Sequence, residues 1–100
     1  MSRVLEYRRQ FRSDLAKDSE WYEEQRSGLG GEFVAAAETT CKSLIDFPER
    51  FTVVYGEVRR ALVERFPYAV FYLVEPRRVV VLRILHTARN PRLWPRAIRG

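Results

Sequence analysis

A chain of 100 residues, 46% hydrophobic and 31% charged, has material for one modest globular core and no second one. No apolar run approaches the ~18 residues of a membrane span, which excludes a membrane-spanning helix. The net charge of +5 is uneven: residues 1–50 hold eight basic and ten acidic side chains, residues 51–100 ten arginines against three glutamates, and that asymmetry points to an acidic partner.

RVLEYR (3–8) alternates weakly and is rich in strand formers, which predicts a short first strand. From Arg9 to about Gln25, Phe11, Leu15, Ser19 and Tyr22 recur at four- and three-residue spacings with charged residues opposite, the pattern of one helix face. RSGLGGE (26–32) interrupts it; Gly28, Gly30 and Gly31 suit a left-handed cap and a tight connection. A second helix is predicted from about Glu32 to Phe47, with Phe33, Ala37, Thr40, Leu44 and Phe47 on one stripe and Val34, Cys41 and Ile45 beside it. Pro48 disfavours helical geometry at Phe47 and sets its end. Two helices joined so closely predict an antiparallel hairpin.

After PERFTVVYGE the pattern turns to strands: VRRALVERF (58–66), YAVFYLV (68–74) and VVVLRILHT (79–87), with EPRR (75–78) as a turn. The last strand is apolar on both faces apart from Arg83, which places it inside the sheet. NPRLWPRAIRG, broken by Pro91 and Pro95, reads as a tail over 91–100 that Leu93 and Trp94 dock onto the body. The sum is a single α+β domain over 1–100: a strand, a helical hairpin and an antiparallel meander, giving one helical layer on a sheet of about four strands. The other sheet face has no helix to cover it, so it is expected to be a docking surface for the tail or a partner.

The single cysteine, Cys41, allows no internal disulfide, and MSRVLEYRRQ has no apolar leader, so a cytoplasmic protein is expected. No metal site or cofactor is expected. The one histidine and one cysteine lie far apart, and GLGG follows a helix rather than a strand, unlike a phosphate loop. The basic residues are 16 arginines and only two lysines, Lys17 and Lys42. Arginine favours planar, bidentate contacts to carboxylate or phosphate and does not serve as a proton acceptor.

Four stretches in order, WYEEQRSGLGGEF, FPERF, VRRALVERFPYAVFYLVE and VVLRILHTARNPRLW, resemble the ParE branch of the RelE/ParE superfamily. These are the toxins of type II toxin–antitoxin modules, often labelled plasmid-stabilisation proteins. The resemblance runs roughly from Arg9 to Trp94 and rests on the order and spacing of the four stretches, none of which is diagnostic alone. It implies a helical hairpin packed on a twisted antiparallel sheet. It also implies a cognate antitoxin whose C-terminal segment wraps the toxin into a hetero-oligomer, and a target in the replication or translation machinery, away from the membrane.

The resemblance also divides the superfamily by mechanism. ParE-like members are described as inhibitors of DNA gyrase that need no catalytic residues; RelE-like members are ribosome-dependent endoribonucleases acting on mRNA. The ribonucleases use lysines and arginines on the middle strands, often with a Tyr or His near the C-terminus. In several, an arginine follows the first aromatic of the strand matching YAVFY, where this chain has Ala69. No lysine follows Lys42 and no tyrosine follows Tyr72. His86 and Arg89 remain as catalytic candidates, with Arg60 and Arg65 as phosphate partners. The expectation is therefore a gyrase-binding toxin, with the ribonuclease as the alternative and a non-toxic nucleic-acid-binding module as a third reading.

His86 ends an apolar strand, where a lone histidine is more often structural than a base; its expected role is to order the tail by a hydrogen bond. Arg60 and Arg65 fall on opposite strand faces by parity. Arg83 reads equally as a buried partner of Glu6 or Glu64 and as a target contact. Arg89, Arg92, Arg96 and Arg99 make the expected electrostatic surface, and Trp94 pins the tail or anchors a partner. Contacts to target or antitoxin are thus expected at Arg60, Arg65, Arg83, Arg89, Arg92 and Trp94. An acidic, amphipathic partner segment is expected on the basic sheet side and against the hairpin.

Overall fold

Residues 3–89 are described by a computed structural model. The chain runs as strand β1 (Val4–Tyr7), helix α1 (Arg9–Gln25), helix α2 (Leu29–Ser43), a 3-10 turn (Pro48–Arg50), and strands β2 (Thr52–Tyr55), β3 (Val58–Leu62), β4 (Tyr68–Val74) and β5 (Arg78–His86). Helix α1 occupies the predicted span, with Phe11 buried and Leu15 and Tyr22 packed against the core. Gly28 takes the left-handed backbone that the connection needs, at φ 88°. The two helices then approach so closely that a Cβ on Gly30 would stand 2.5 Å from the Ser19 carbonyl oxygen. From α1, the Glu23 carboxylate accepts the backbone N–H groups of Gly28 (2.8 Å) and Gly30 (3.0 Å), capping the start of α2.

Helix α2 begins and ends earlier than its apolar stripe predicts. Its last turn tightens, with Leu44 N–H bonded to Cys41 O and Ile45 N–H to Lys42 O. Phe47 then adopts φ −137°, ψ 66° ahead of Pro48 and is 67% exposed, so the predicted stripe fails at its final member.

The sheet has five strands in the order β1-β5-β4-β3-β2. Strand β1 pairs with β5 in parallel, Val4 opposite Arg78 through Tyr7 opposite Val81, and every other pairing is antiparallel. The sheet is therefore mixed, with one strand more than the sequence pattern suggested. The extra strand, β2, is an edge strand with three of its four residues exposed, so it carries no alternation of apolar and polar positions. Strand β3 is shorter than predicted because the chain turns at Arg65, the one described non-glycine residue with positive φ, at 73°.

The helices cover one sheet face. Between them and the sheet lie Phe11, Phe33, Ala37, Cys41 and Leu44 against Val70, Tyr72, Val79, Val81 and Ile84. Tyr22, Phe33, Phe66 and Tyr68 meet mostly edge-on at one end. The Tyr72 hydroxyl donates to Pro48 O at 2.6 Å and ties the 3-10 turn to the core. On the second face, Val58, Ala69 and Phe71 form a smaller apolar cluster edged by Tyr55, Leu73, Leu82 and Leu85. Ala69 and Phe71 are fully buried there.

Candidate partner-binding site

A groove of about 680 Å³ lies between the outer flank of α2 and the β3 edge. Ala35, Ala36, Thr39, Thr40 and Ser43 form its helical wall, and Phe51 and Leu62 the facing side. Leu62 is 62% exposed, an aliphatic side chain left in solvent. Arg50 stands toward one end, its guanidinium 4.8 Å from the Phe51 ring centroid. Arg65 and Glu32 pair at 2.8 Å at the groove's rim, and the nearby arginines hold the Glu32 carboxyl below its ordinary pKa. On the other flank of α2 a shallower cleft of about 320 Å³ is floored by Tyr7, Phe11, Leu15 and Cys41 and rimmed by Arg12, Lys42 and Glu38. Helix α2 is therefore flanked by two partly apolar depressions whose linings carry both signs of charge, Arg50 and Arg65 with Glu32 and Glu64 on one side and Arg12 and Lys42 with Glu38 on the other.

The residues singled out from the sequence do not converge on one place. Arg65 lines the groove from the turn after β3 rather than from the strand, so parity with Arg60 does not apply to it. Arg60 lies in β3 opposite Thr52 on one side and Phe71 on the other. Arg83 is bonded to Asp14, neither to Glu6 nor to Glu64. Its Nε donates to Oδ2 at 2.7 Å and its Nη2 to Oδ1 at 2.8 Å, and Glu6 pairs with Arg78 instead. Arg92 and Trp94, with Arg96 and Arg99, lie outside the described residues.

His86 and Arg89 do come together, near Asp18 and Tyr22 of α1 and Tyr68 of β4. The imidazole sits edge-on to the Tyr68 ring at 5.2 Å, and its Nδ1 accepts the Ala88 N–H at 3.1 Å. Burial first, and Arg89 second, push its pKa below the ordinary 6.5, with Asp18 opposing. A neutral imidazole that accepts at Nδ1 carries its proton on Nε2, so in this arrangement it presents a donor rather than a free base to its surroundings. Burial raises the Tyr68 hydroxyl to about 12 and also raises Asp18, against the pull of Arg89. Cys41, fully buried and raised to about 12 by desolvation, is a core side chain rather than a nucleophile. Among the described residues no group of three or more His, Cys, Asp or Glu is placed to hold a metal ion, and no helix is long and apolar enough to cross a membrane.

A family model described as the ParE toxin of the type II toxin–antitoxin system parDE matches residues 5–91. The chain belongs to the ParE toxin family. No curated protein matches the sequence. Among solved structures, the ParE-family fold recurs in one described as the chromosomal ParDE TA system from P. aeruginosa. It has a TM-score of 0.76 and 19% identity, covering 84% of this chain and 95% of that one.

The sequence reading missed the groove itself. Ala36, Thr40 and Ser43 lie at helical spacing on one flank of α2, a run of small residues that could have marked a close approach. Asp14 and Asp18 were passed over because their partners are far along the chain.

Proposed function

We propose that this ParE-family chain is a toxin that acts by binding DNA gyrase, with no bond-making chemistry of its own, and that a cognate antitoxin neutralises it in a cytoplasmic hetero-oligomer. The family supports the toxin role, and the ParDE TA system from P. aeruginosa supports an antitoxin partner. The non-catalytic reading is supported by one observation: the only histidine has its acceptor nitrogen engaged by Ala88, and burial raises the neighbouring Tyr22 and Tyr68 hydroxyls above their ordinary pKa.

Two measurements on induced cells test the reading. Gyrase-dependent DNA breaks are expected with intact mRNA, and His86→Ala, provided it folds, should leave toxicity within about threefold of wild type. The alternative, a ribosome-dependent endoribonuclease using His86 and Arg89, draws on the proximity of those two side chains. Rapid mRNA cleavage lost in His86→Ala would establish it and overturn the gyrase reading.

A further inference from the structure

We propose that the start of α1 and the end of α2 form a basic surface, made by Arg8, Arg9, Arg12 and Lys42, that binds the phosphate backbone of double-stranded DNA. This goes beyond the gyrase reading and stands or falls apart from it, since it concerns contact with the nucleic acid itself.

The charges on α1 run against its own backbone dipole. A helix carries partial positive charge at its first turn and partial negative charge at its last, so acids favour the start and bases the end. Helix α2 follows that rule, with Glu32 in its first turn and Lys42 in its last. Helix α1 reverses it at both ends. Its first turn holds no acidic side chain and its last no basic one. Arg9 and Arg12 stand at the start, with Arg8 just before them, and Glu23 and Glu24 at the end. Arg8 and Arg12 also fall one turn apart, a like-charge spacing that weakens a helix. At the far end Glu23 is explained by the two N–H groups of α2 that it caps. At the near end nothing in the fold offsets the repulsion in this way. Among the described residues Arg8, Arg9, Arg12 and Lys42 are exposed and in no ion pair.

The helical hairpin gathers these cations. It sets the start of α1 beside the end of α2, so that Arg12 and Lys42 line the same cleft, with Glu38 as its one carboxylate. The Arg12 guanidinium lies 5.8 Å from the Tyr7 ring centroid, which seats it at that cleft. The cations outweigh Glu38, and the positive end of α1 adds to their field. Shape then separates DNA from an acidic peptide. A peptide gains affinity from apolar anchors seated in pockets, whereas a phosphate backbone is held by exposed cations alone. Arg8 and Arg9 line neither of the two depressions beside α2 and stand at the helix end, where charge is all that they offer. Contacts to phosphate carry no sequence information, so binding is expected to ignore base sequence and to depend steeply on salt.

The test uses the full-length chain and a DNA duplex of two helical turns, titrated between about 50 and 200 mM salt. Arg8→Gln with Arg9→Gln should weaken binding about tenfold at the lowest salt and reduce the slope of log K against log salt by about 2, one unit for each phosphate contact. Arg26→Gln with Arg77→Gln makes the same change in net charge at exposed sites elsewhere, and should weaken binding less than about twofold with the slope kept. Because Arg8 and Arg9 oppose the α1 dipole, their double variant should keep or raise the urea midpoint, which separates lost binding from lost folding. Equal losses in the two double variants, no duplex binding at the lowest salt, or a lowered urea midpoint in Arg8→Gln with Arg9→Gln overturns the proposal. A polyglutamate peptide that binds as tightly as the duplex, and that also needs Arg8 and Arg9, overturns it in favour of an acidic protein partner.

Discussion

His86 is the residue on which sequence and structure bear most directly. Its Nδ1 holds the Ala88 N–H and its ring packs on Tyr68, so the neutral form belongs to the folded state. A histidine whose folded pKa lies below its ordinary 6.5 contributes stability that is present above that value and lost as pH falls through the folded pKa. Asp18, raised by burial, works in the opposite sense at lower pH, since its neutral form is favoured in the fold. The expected outcome is a wild-type thermal midpoint that declines between roughly pH 7 and 5, with a flatter profile for His86→Asn, whose amide oxygen can still accept from Ala88. Parallel slopes for the two proteins would show that His86 carries no folding-linked proton. Arg89 and Tyr22, which also face this cluster, remain unchanged in the comparison.

At the scale of elements, the helical hairpin depends on a cap that neither helix supplies for itself. Helix α2 starts at Leu29 with a left-handed glycine before it and no side-chain cap from that residue. The Glu23 carboxylate takes the N–H groups of Gly28 and Gly30 in its place, putting negative charge at the positive end of α2. Glu23→Ala is expected to cost about 1 kcal/mol, measured as a shift in the urea midpoint at constant slope. No measurable shift would mean that water satisfies those donors equally well.

This cap also marks what the sequence could and could not reveal. Helix α1, the glycine connection and β4 were legible because each is a local pattern: a stripe of apolar residues, a left-handed glycine, a run of strand formers. The cap couples residues five and seven apart across a loop, and no periodicity encodes it. Strand β2 was illegible because an exposed edge needs no apolar alternation, and the parallel direction of β1 because strand pattern carries no polarity. The groove was hidden for a related reason. Leu62 lies between the buried Ala61 and Val63, so alternation turns its side chain to the opposite sheet face, where it is exposed, and the strand pattern does not mark the groove beside it.

For the molecule as a whole, β5 is the hub, since it pairs with β1 in parallel and β4 antiparallel while α1 lies across it. The joint between layers is the bidentate Arg83–Asp14 pair, spanning 69 residues of sequence, with side chains 20% and 14% exposed. Asp14 Oδ2 also accepts the Ile84 N–H at 3.2 Å, so one carboxylate serves a guanidinium and a backbone donor. Removing it takes a bidentate acceptor from Arg83 and leaves the Ile84 N–H to be rehydrated, and Asp14→Ala should therefore cost about 2–4 kcal/mol, more than an exposed ion pair gives. The effect should be global. Far-ultraviolet circular dichroism, which follows both layers, and the fluorescence of Trp21 on α1, read in a Trp94→Phe background, should shift together in urea, because the hairpin has no core without the sheet. Asp14→Leu combined with Arg83→Met should recover most of the loss if the cost lies in the lost charge pairing between the two side chains. A single-variant cost below about 1 kcal/mol, or a CD transition that separates from the fluorescence transition, would instead mean that the apolar interface alone joins the layers.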